Sequence, residues 1–329
     1  MGGQMKSFGI QRAGWLIALW LWAGCGGSSH APETSVSPDA DDPRSVEAIS
    51  LLGRPLFATP PANDRPRQEA LLREARERLT RRPDDPDAWV WVGRRLGYLW
   101  RMNEAIDVYT HGIERHPNDA ALYRHRGHRY ITLRQFEKAT ADLEKASRLM
   151  AGLPEMTEQD GLPNERNIPL TTLQFNVWYH LSVAHYAKGD FDKAREAFDR
   201  AMQCRGKYDD NLVAVTDWLY MSLRRRGRDA EAELLLTPIR ADMDIIENHA
   251  YLKRLRMYKR EIRPEDIFDV DNASELDLAT MGYGVGNWYL CEGDRAKAVH
   301  VFEKVVSGGY WPAFGFIAAE ADLARMKNR

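Results

Sequence analysis

The chain has 329 residues, and its 46 Lys and Arg against 48 Asp and Glu leave a net charge of -2, which exerts no long-range pull on a phosphate backbone. Nucleic acid is therefore not expected as a partner. Hydrophobic residues make up 44% of the chain, with ten tryptophans, so a substantial core can be buried, and strand signals are nearly absent.

In chain order, Lys6 and Arg12 precede an apolar run from Ala13 to Ala23 that is too short to span a bilayer comfortably. It has the n-region and h-region of a secretory signal. The run meets Trp22-Ala23-Gly24-Cys25, which resembles the bacterial lipobox. That resemblance implies a signal peptide over residues 1–25, acylation of Cys25, and a lipoprotein held on the membrane of the bacterial cell envelope, facing the periplasm or the exterior. Trp22 stands where leucine is usual, with Leu21 one place earlier, so an uncleaved anchor or a plain signal peptide is the other reading. In each case the globular part is exported. Residues 26–66 are rich in Gly, Ser, Pro, Ala and Asp and read as a flexible, disordered linker.

Arg67 to Pro83 carries Leu71, Leu72, Ala75 and Leu79 at helical spacing and reads as a capping helix. From Pro86 a 34-residue pattern begins: Trp89, Gly93, Ala105, Tyr109 and Pro117 stand at positions 4, 8, 20, 24 and 32. From Ala120 it recurs as Tyr123, Gly127, Ala139, Leu143 and Ala146. Small residues at positions 8 and 20 let two helices approach closely, and Pro117 stops the second helix. This spacing resembles the tetratricopeptide repeat, a helix-turn-helix unit. Further copies start at Phe175 (Trp178, Ala184, Gly189, Ala194, Phe198), at Val213 (Leu223, Gly227, Ala232, Leu236) and at Ala279 (Gly286, Gly293, Ala298, Phe302).

The resemblance implies an all-α fold of helical hairpins stacked in a right-handed superhelical solenoid over residues 67–329, with repeats at about 86–119, 120–151, 175–208, 213–240 and 279–312 and a C-terminal cap helix at 313–326. Ala151 to Thr172 holds Gly152, Pro154, Gly161, Pro163 and Pro169 and reads as a loop. Ala241 to Lys259 is helical in pattern, and Ile267 to Ser274 is acidic and irregular. Cys204 and Cys291 fall in non-neighbouring repeats, beyond the reach of a disulfide, and read as buried small apolar residues.

Catalytic constellations are poor. His125 and His128 lie three apart, a spacing that can serve a metal, but nothing compels a third ligand to join them. Gly282-Tyr-Gly-Val-Gly286 follows no strand, so its glycines read as packing residues rather than a nucleotide loop. No enzyme activity, cofactor or metal is expected. In the repeat family the first helix of each unit lines a concave groove, and its positions map here onto Arg94, Tyr98, Arg124, His128, Tyr179, Tyr186, Tyr283 and Asn287. The groove would begin basic and end aromatic. That combination suits a protein or peptide partner, with arginines pairing the carboxylates of an acidic extended segment. The expected function is a membrane-tethered scaffold. The alternative is an accessory subunit of an envelope enzyme or transporter, or an enzyme with its site in residues 240–274.

Overall fold

The computed structural model describes residues 46–267 and 269–327. The expected signal peptide, Cys25 and the linker up to residue 45 lie outside the described residues. The rest of the expected linker is not featureless. Strand β1 (Val46–Ile49) pairs antiparallel with β2 (Pro55–Phe57), with Gly53 in the left-handed region at the turn. Composition missed this hairpin because its register is fixed by contacts far away in sequence. Glu47 accepts from the Asn103 backbone N–H at 2.9 Å, Arg54 donates to the Val306 carbonyl at 2.6 Å, and Trp311 donates to the Phe57 carbonyl at 2.9 Å.

Helices then follow as α1 (Arg65–Arg81), α2 (Pro86–Tyr98), α3 (Met102–Arg115), α4 (Ala120–Thr132), α5 (Phe136–Leu149), α6 (Leu173–Lys188), α7 (Phe191–Gln203), α8 (Asp209–Arg225) and α9 (Asp229–Leu235). After them come α10 (His249–Tyr258), α11 (Pro264–Ile267), α12 (Glu275–Asp277), a π-helical turn (Leu278–Gly282), α13 (Tyr283–Cys291), α14 (Arg295–Ser307) and α15 (Phe314–Lys327). From α1 to α9 each helix packs on its chain neighbour, and α13, α14 and α15 do so again, so the fold is a stack of tetratricopeptide-type hairpins. The small residues do what the spacing predicts. A Cβ on Gly93 would lie 2.3 Å from the Tyr109 ring, one on Gly127 2.8 Å from Leu143, and one on Gly286 2.5 Å from Phe302. In all three pairs, position 8 of a unit meets position 24.

One turn closes every hairpin. Trp100, Arg134, Gly189, Gly227, Arg260 and Gly293 all have positive φ between their helices. Behind each, the same pair of bonds satisfies the helix end: Trp100 N–H to the Gly97 carbonyl with Arg101 N–H to Leu96, through to Gly293 N–H to Leu290 with Asp294 N–H to Tyr289. The Arg260 turn, with Glu261 N–H on the Arg256 carbonyl, reveals a truncated hairpin, α10 and α11, in the stretch that departs from the repeat pattern. Its helix is shorter than the pattern over 241–259 predicts. The side chain of Asp210 accepts from the backbone N–H groups of Ile246, Glu247 and Asn248 and fixes the preceding residues as a turn.

Three of the six turns, at Trp100, Arg134 and Arg260, carry a bulky side chain in a conformation that costs a non-glycine residue about 1–2 kcal/mol. Arg260 is exposed, whereas the other two reach the last helix and the turn before it. Trp100 packs edge-on against Tyr310 and Trp311, and Arg134 enters the core to pair with Glu320 at 2.5 Å. Helix α15 is buried from Phe314 through Leu323 without a break, the signature of a helix covered on all sides. It sits in the concave face against α6, α13, α14 and the π-helical turn. The expected cap is therefore a central helix. Asp322 is locked to Arg225 by two bonds of 2.7 and 2.8 Å and to Arg325 at 2.8 Å.

Glu320 has no exposure and Arg134 is 8% exposed, so removing one partner strands a buried charge. Glu320→Ala is expected to lower the unfolding free energy in urea by about 3–5 kcal/mol, whereas the double change Arg134→Leu with Glu320→Leu recovers most of that loss.

Candidate binding site

The concave face divides into a filled part and an open part. Tyr179, Tyr186 and Tyr283 have no exposure and Asn287 has 1%, which corrects their expected place on an open groove. Their polar ends are used internally. Tyr283 donates to the Asp322 carboxylate at 2.9 Å and lies 2.6 Å from the Tyr186 hydroxyl; the Tyr186 hydroxyl lies 3.3 Å from the Asn287 side-chain oxygen; and Tyr179 meets the Tyr251 hydroxyl at 3.0 Å. Burial, with Asp322 nearby, holds the Tyr283 phenol well above its ordinary value, so it remains a donor.

Arg94, Tyr98, Arg124 and His128, by contrast, are brought together around a cavity of about 170 Å³. Helices α2, α4 and α6 form its walls, residues 158–162 its rim, and the turn at 310–313 leading into α15 its far side. The rim belongs to the loop after α5, which folds back over the first repeat. Arg94 donates to the Gln159 carbonyl at 2.7 Å and Arg95 to the Gly161 carbonyl at 2.8 Å. A Cβ on Gly161 would lie 2.0 Å from the Tyr98 hydroxyl, so only glycine allows this approach.

Inside, Glu158 pairs with Arg124 at 3.1 Å and with His125 at 3.3 Å, and it accepts from Asn176 at 3.1 Å. Because the Arg124 guanidinium donates to His125 Nδ1 at 2.8 Å, the proton of the neutral ring is assigned to Nε2, which faces Glu158. His180 has the opposite tautomer, since its Nδ1 donates to the Asn176 carbonyl at 2.5 Å. The rings of His128 and His180 stand 4.3 Å apart, with Phe314 of α15 at 5.3 Å from His128. Burial first, and the neighbouring arginines second, hold His125 and His128 well below the ordinary histidine range; burial and Arg124 do the same to His180. All three rings are neutral at pH 7.

Arg129, Glu158, Asp160, His180 and Tyr310 also line the cavity and were not singled out as site residues in the sequence. For Arg129 a signal existed. The arginines of α4 spread around the helix in sequence, and the structure sorts them: Arg126 pairs with Asp142 at 2.7 Å, while Arg124 and Arg129 turn inward. Glu158 and Asp160 could not be found locally, because only the fold of the loop brings them there. The His125 and His128 spacing serves no metal cluster: among the described residues, no three His, Cys, Asp or Glu side chains are placed to hold an ion. Cys204 and Cys291 are free and half-buried. Among the described residues, no helix is long and apolar enough to cross a membrane.

Comparison with known proteins bears on one repeat. The family model described as tetratricopeptide repeat matches residues 175–208, the α6–α7 hairpin with its flanking turns. No curated protein sequence matches the chain. Among solved structures, a tetratricopeptide repeat protein from Parabacteroides merdae is 16% identical, with 80% of this chain and 94% of that chain covered and a TM-score of 0.47. YrrB, described as a TPR protein with an unusual peptide-binding site, is 15% identical over 71% of this chain and 91% of its own, with a TM-score of 0.40. PilW, described as a type IV pilus biogenesis factor, is 13% identical over 71% and 82%, with a TM-score of 0.39.

Below the rim lies a buried acid whose titration is measurable. Glu247 is 3% exposed, and burial, then Asp160 and Asp210, push it up to about 9 from 4.5, against a smaller opposing effect of Asn164. The folded chain thus holds a proton there that the unfolded chain releases. This stabilisation is complete below pH 4.5 and is lost as pH rises through about 9. Glu247→Gln, which mimics the protonated acid, is expected to raise the melting temperature at about pH 8 and to leave it nearly unchanged at about pH 5.

Proposed function

We propose that this chain, which carries a tetratricopeptide repeat at residues 175–208, is a non-catalytic scaffold tethered to the membrane of the bacterial cell envelope, where it binds a protein or peptide partner. Tethering follows from the apolar run Ala13–Ala23 and the lipobox-like Cys25. The observation that carries the binding reading is the cationic mouth of the cavity. Arg94 and Arg129 line it without an ion pair to any described residue, Arg94 bonding only the Gln159 carbonyl and the Tyr98 hydroxyl, and Arg129 only the Met102 sulfur. Guanidiniums in that state favour an acidic segment that supplies the carboxylates.

The filled half of the concave face changes where a partner docks. Tyr179, Tyr186, Tyr283 and Asn287 are buried, with Tyr283 bonded to Asp322 of α15, so the binding surface contracts to the α2–α4 end with Arg94, Tyr98 and His128. Arg124 is bonded to Glu158 and His125 and acts by holding the floor of the site.

The test is crosslinking of the tagged full chain in bacterial membranes beside Arg94→Ala and Cys25→Ser. Arg94→Ala is expected to lower capture of an envelope protein about fivefold or more without releasing the chain from the membrane. Cys25→Ser is expected to shift the chain to the soluble fraction. Capture unchanged by Arg94→Ala removes the cationic mouth as the docking surface, and unchanged fractionation of Cys25→Ser removes the lipid tether.

A further inference from the structure

The same cavity has a charge balance, a size and an unfilled hydrogen-bonding position that together specify a ligand of its own. Three guanidiniums, Arg94, Arg124 and Arg129, face two carboxylates, Glu158 and Asp160, and the histidines are neutral. Only Arg124 is paired with one of those carboxylates within 4.0 Å. The site therefore lacks one negative charge rather than two. In a buried setting one unbalanced guanidinium costs far more than it would in water, and an incoming anion relieves that cost.

A second, independent observation concerns polar atoms that the protein leaves without partners. His180 is 1% exposed and lines the cavity, and its Nε2 has no hydrogen-bond partner. With Nδ1 donating to the Asn176 carbonyl, that Nε2 is an acceptor. Arg124, 7% exposed, likewise has a buried Nε with no partner. An acceptor beside unpaired guanidiniums calls for a ligand with one donor as well as an anionic group.

Size and walls narrow the class further. A volume of about 170 Å³ is of the order of the engineered dry cavity of about 150 Å³ that takes up benzene. The wall is part aromatic and part apolar, with Tyr98, Trp100, Met102, Tyr310 and Pro312. We propose that this pocket binds a small organic monocarboxylate with an apolar body and one hydrogen-bond donor next to the carboxylate, an N-acylated amino acid or a 2-hydroxy acid being the chemistry it fits. The carboxylate lies against Arg94 and Arg129, the donor serves His180 Nε2, and the apolar body meets the aromatic wall. Such a group is carried by a free small molecule or by the end of a peptide chain. This inference concerns the pocket's own ligand and needs no envelope partner, so calorimetry can fail while crosslinking succeeds, and the reverse.

The experiment is isothermal titration of the full chain in detergent with 3-phenyllactate, its uncharged amide, 3-phenylpropionate, inorganic phosphate and an Ala-Ala-Phe peptide as free acid. 3-Phenyllactate is expected to bind at least about tenfold more tightly than its amide and more tightly than 3-phenylpropionate, which lacks the donor. Arg129→Met, which keeps the aliphatic stem and breaks no ion pair, is expected to weaken 3-phenyllactate about tenfold or more. Competition by the free-acid peptide supports the proposal and assigns the group to a chain end; binding of 3-phenyllactate without such competition supports it and assigns a free metabolite. Equal binding of acid and amide, no binding of either, tighter binding of phosphate, or an affinity untouched in folded Arg129→Met overturns it. The acid and amide comparison uses the unaltered chain, so it decides the matter even where the variant does not fold.

Discussion

Glu320, a carboxylate with no exposure at all, is the point on which this structure closes. It receives Arg134 from the turn between α4 and α5, and it accepts the backbone N–H of Leu51 from the N-terminal hairpin. One side chain of the last helix thus joins the second repeat and the segment that precedes the stack. Burying a carboxylate costs several kcal/mol unless it is paired and hydrogen-bonded, and here both conditions are met. The arrangement adds little net stability over an apolar substitute, and it ties α15 to both segments at once. With α15 seated, Asp322 reaches Arg225 and Tyr283, and Phe314 reaches His128 and His180.

The period of the stack was legible because it is written in short-range pairs. Gly93 with Tyr109, Gly127 with Leu143 and Gly286 with Phe302 stand sixteen residues apart and meet inside one hairpin, so spacing alone shows them. Closure is not written that way. Arg134 and Glu320 are separated by 186 positions, and Trp100 and Arg134 occupy a turn position that glycine fills in three other hairpins. At these two positions the strained bulky residue has a buried contact to reach, whereas Arg260 holds the same left-handed position with an exposed side chain, so departure from glycine alone does not mark a closing contact. The hairpin at residues 46–57 was hidden for a related reason. Its composition is that of a linker, and its partners lie on α3, α14, the turn before α15 and α15 itself.

The same distinction explains the candidate site. Residues of α2 and α4 were found because helix position fixes which side faces inward. Tyr179, Tyr186, Tyr283 and Asn287 do face inward as well, but they meet protein and not solvent: Tyr283 bonds Asp322 of α15, Tyr186 bonds Tyr283 and Asn287, and Tyr179 bonds Tyr251 of α10. Sequence periodicity tells which face is concave; it does not tell what fills it. Loop 151–172 read as an interruption, and its glycines and prolines do exclude a helix there. What it contributes is Glu158 and Asp160, carried over the first repeat by Arg94 and Arg95. The result is a pocket with more guanidinium than carboxylate in a chain that is almost neutral overall.

The central claim is that α15 fills the concave face and leaves only the cationic end open. Hydrogen exchange of the full chain measures this directly. The account predicts that the backbone amides of Phe316 to Leu323 exchange as slowly as those of α6, near the limit set by global unfolding. Exchange of that segment at the rate of a fraying terminal helix, while α6 remains protected, would contradict it.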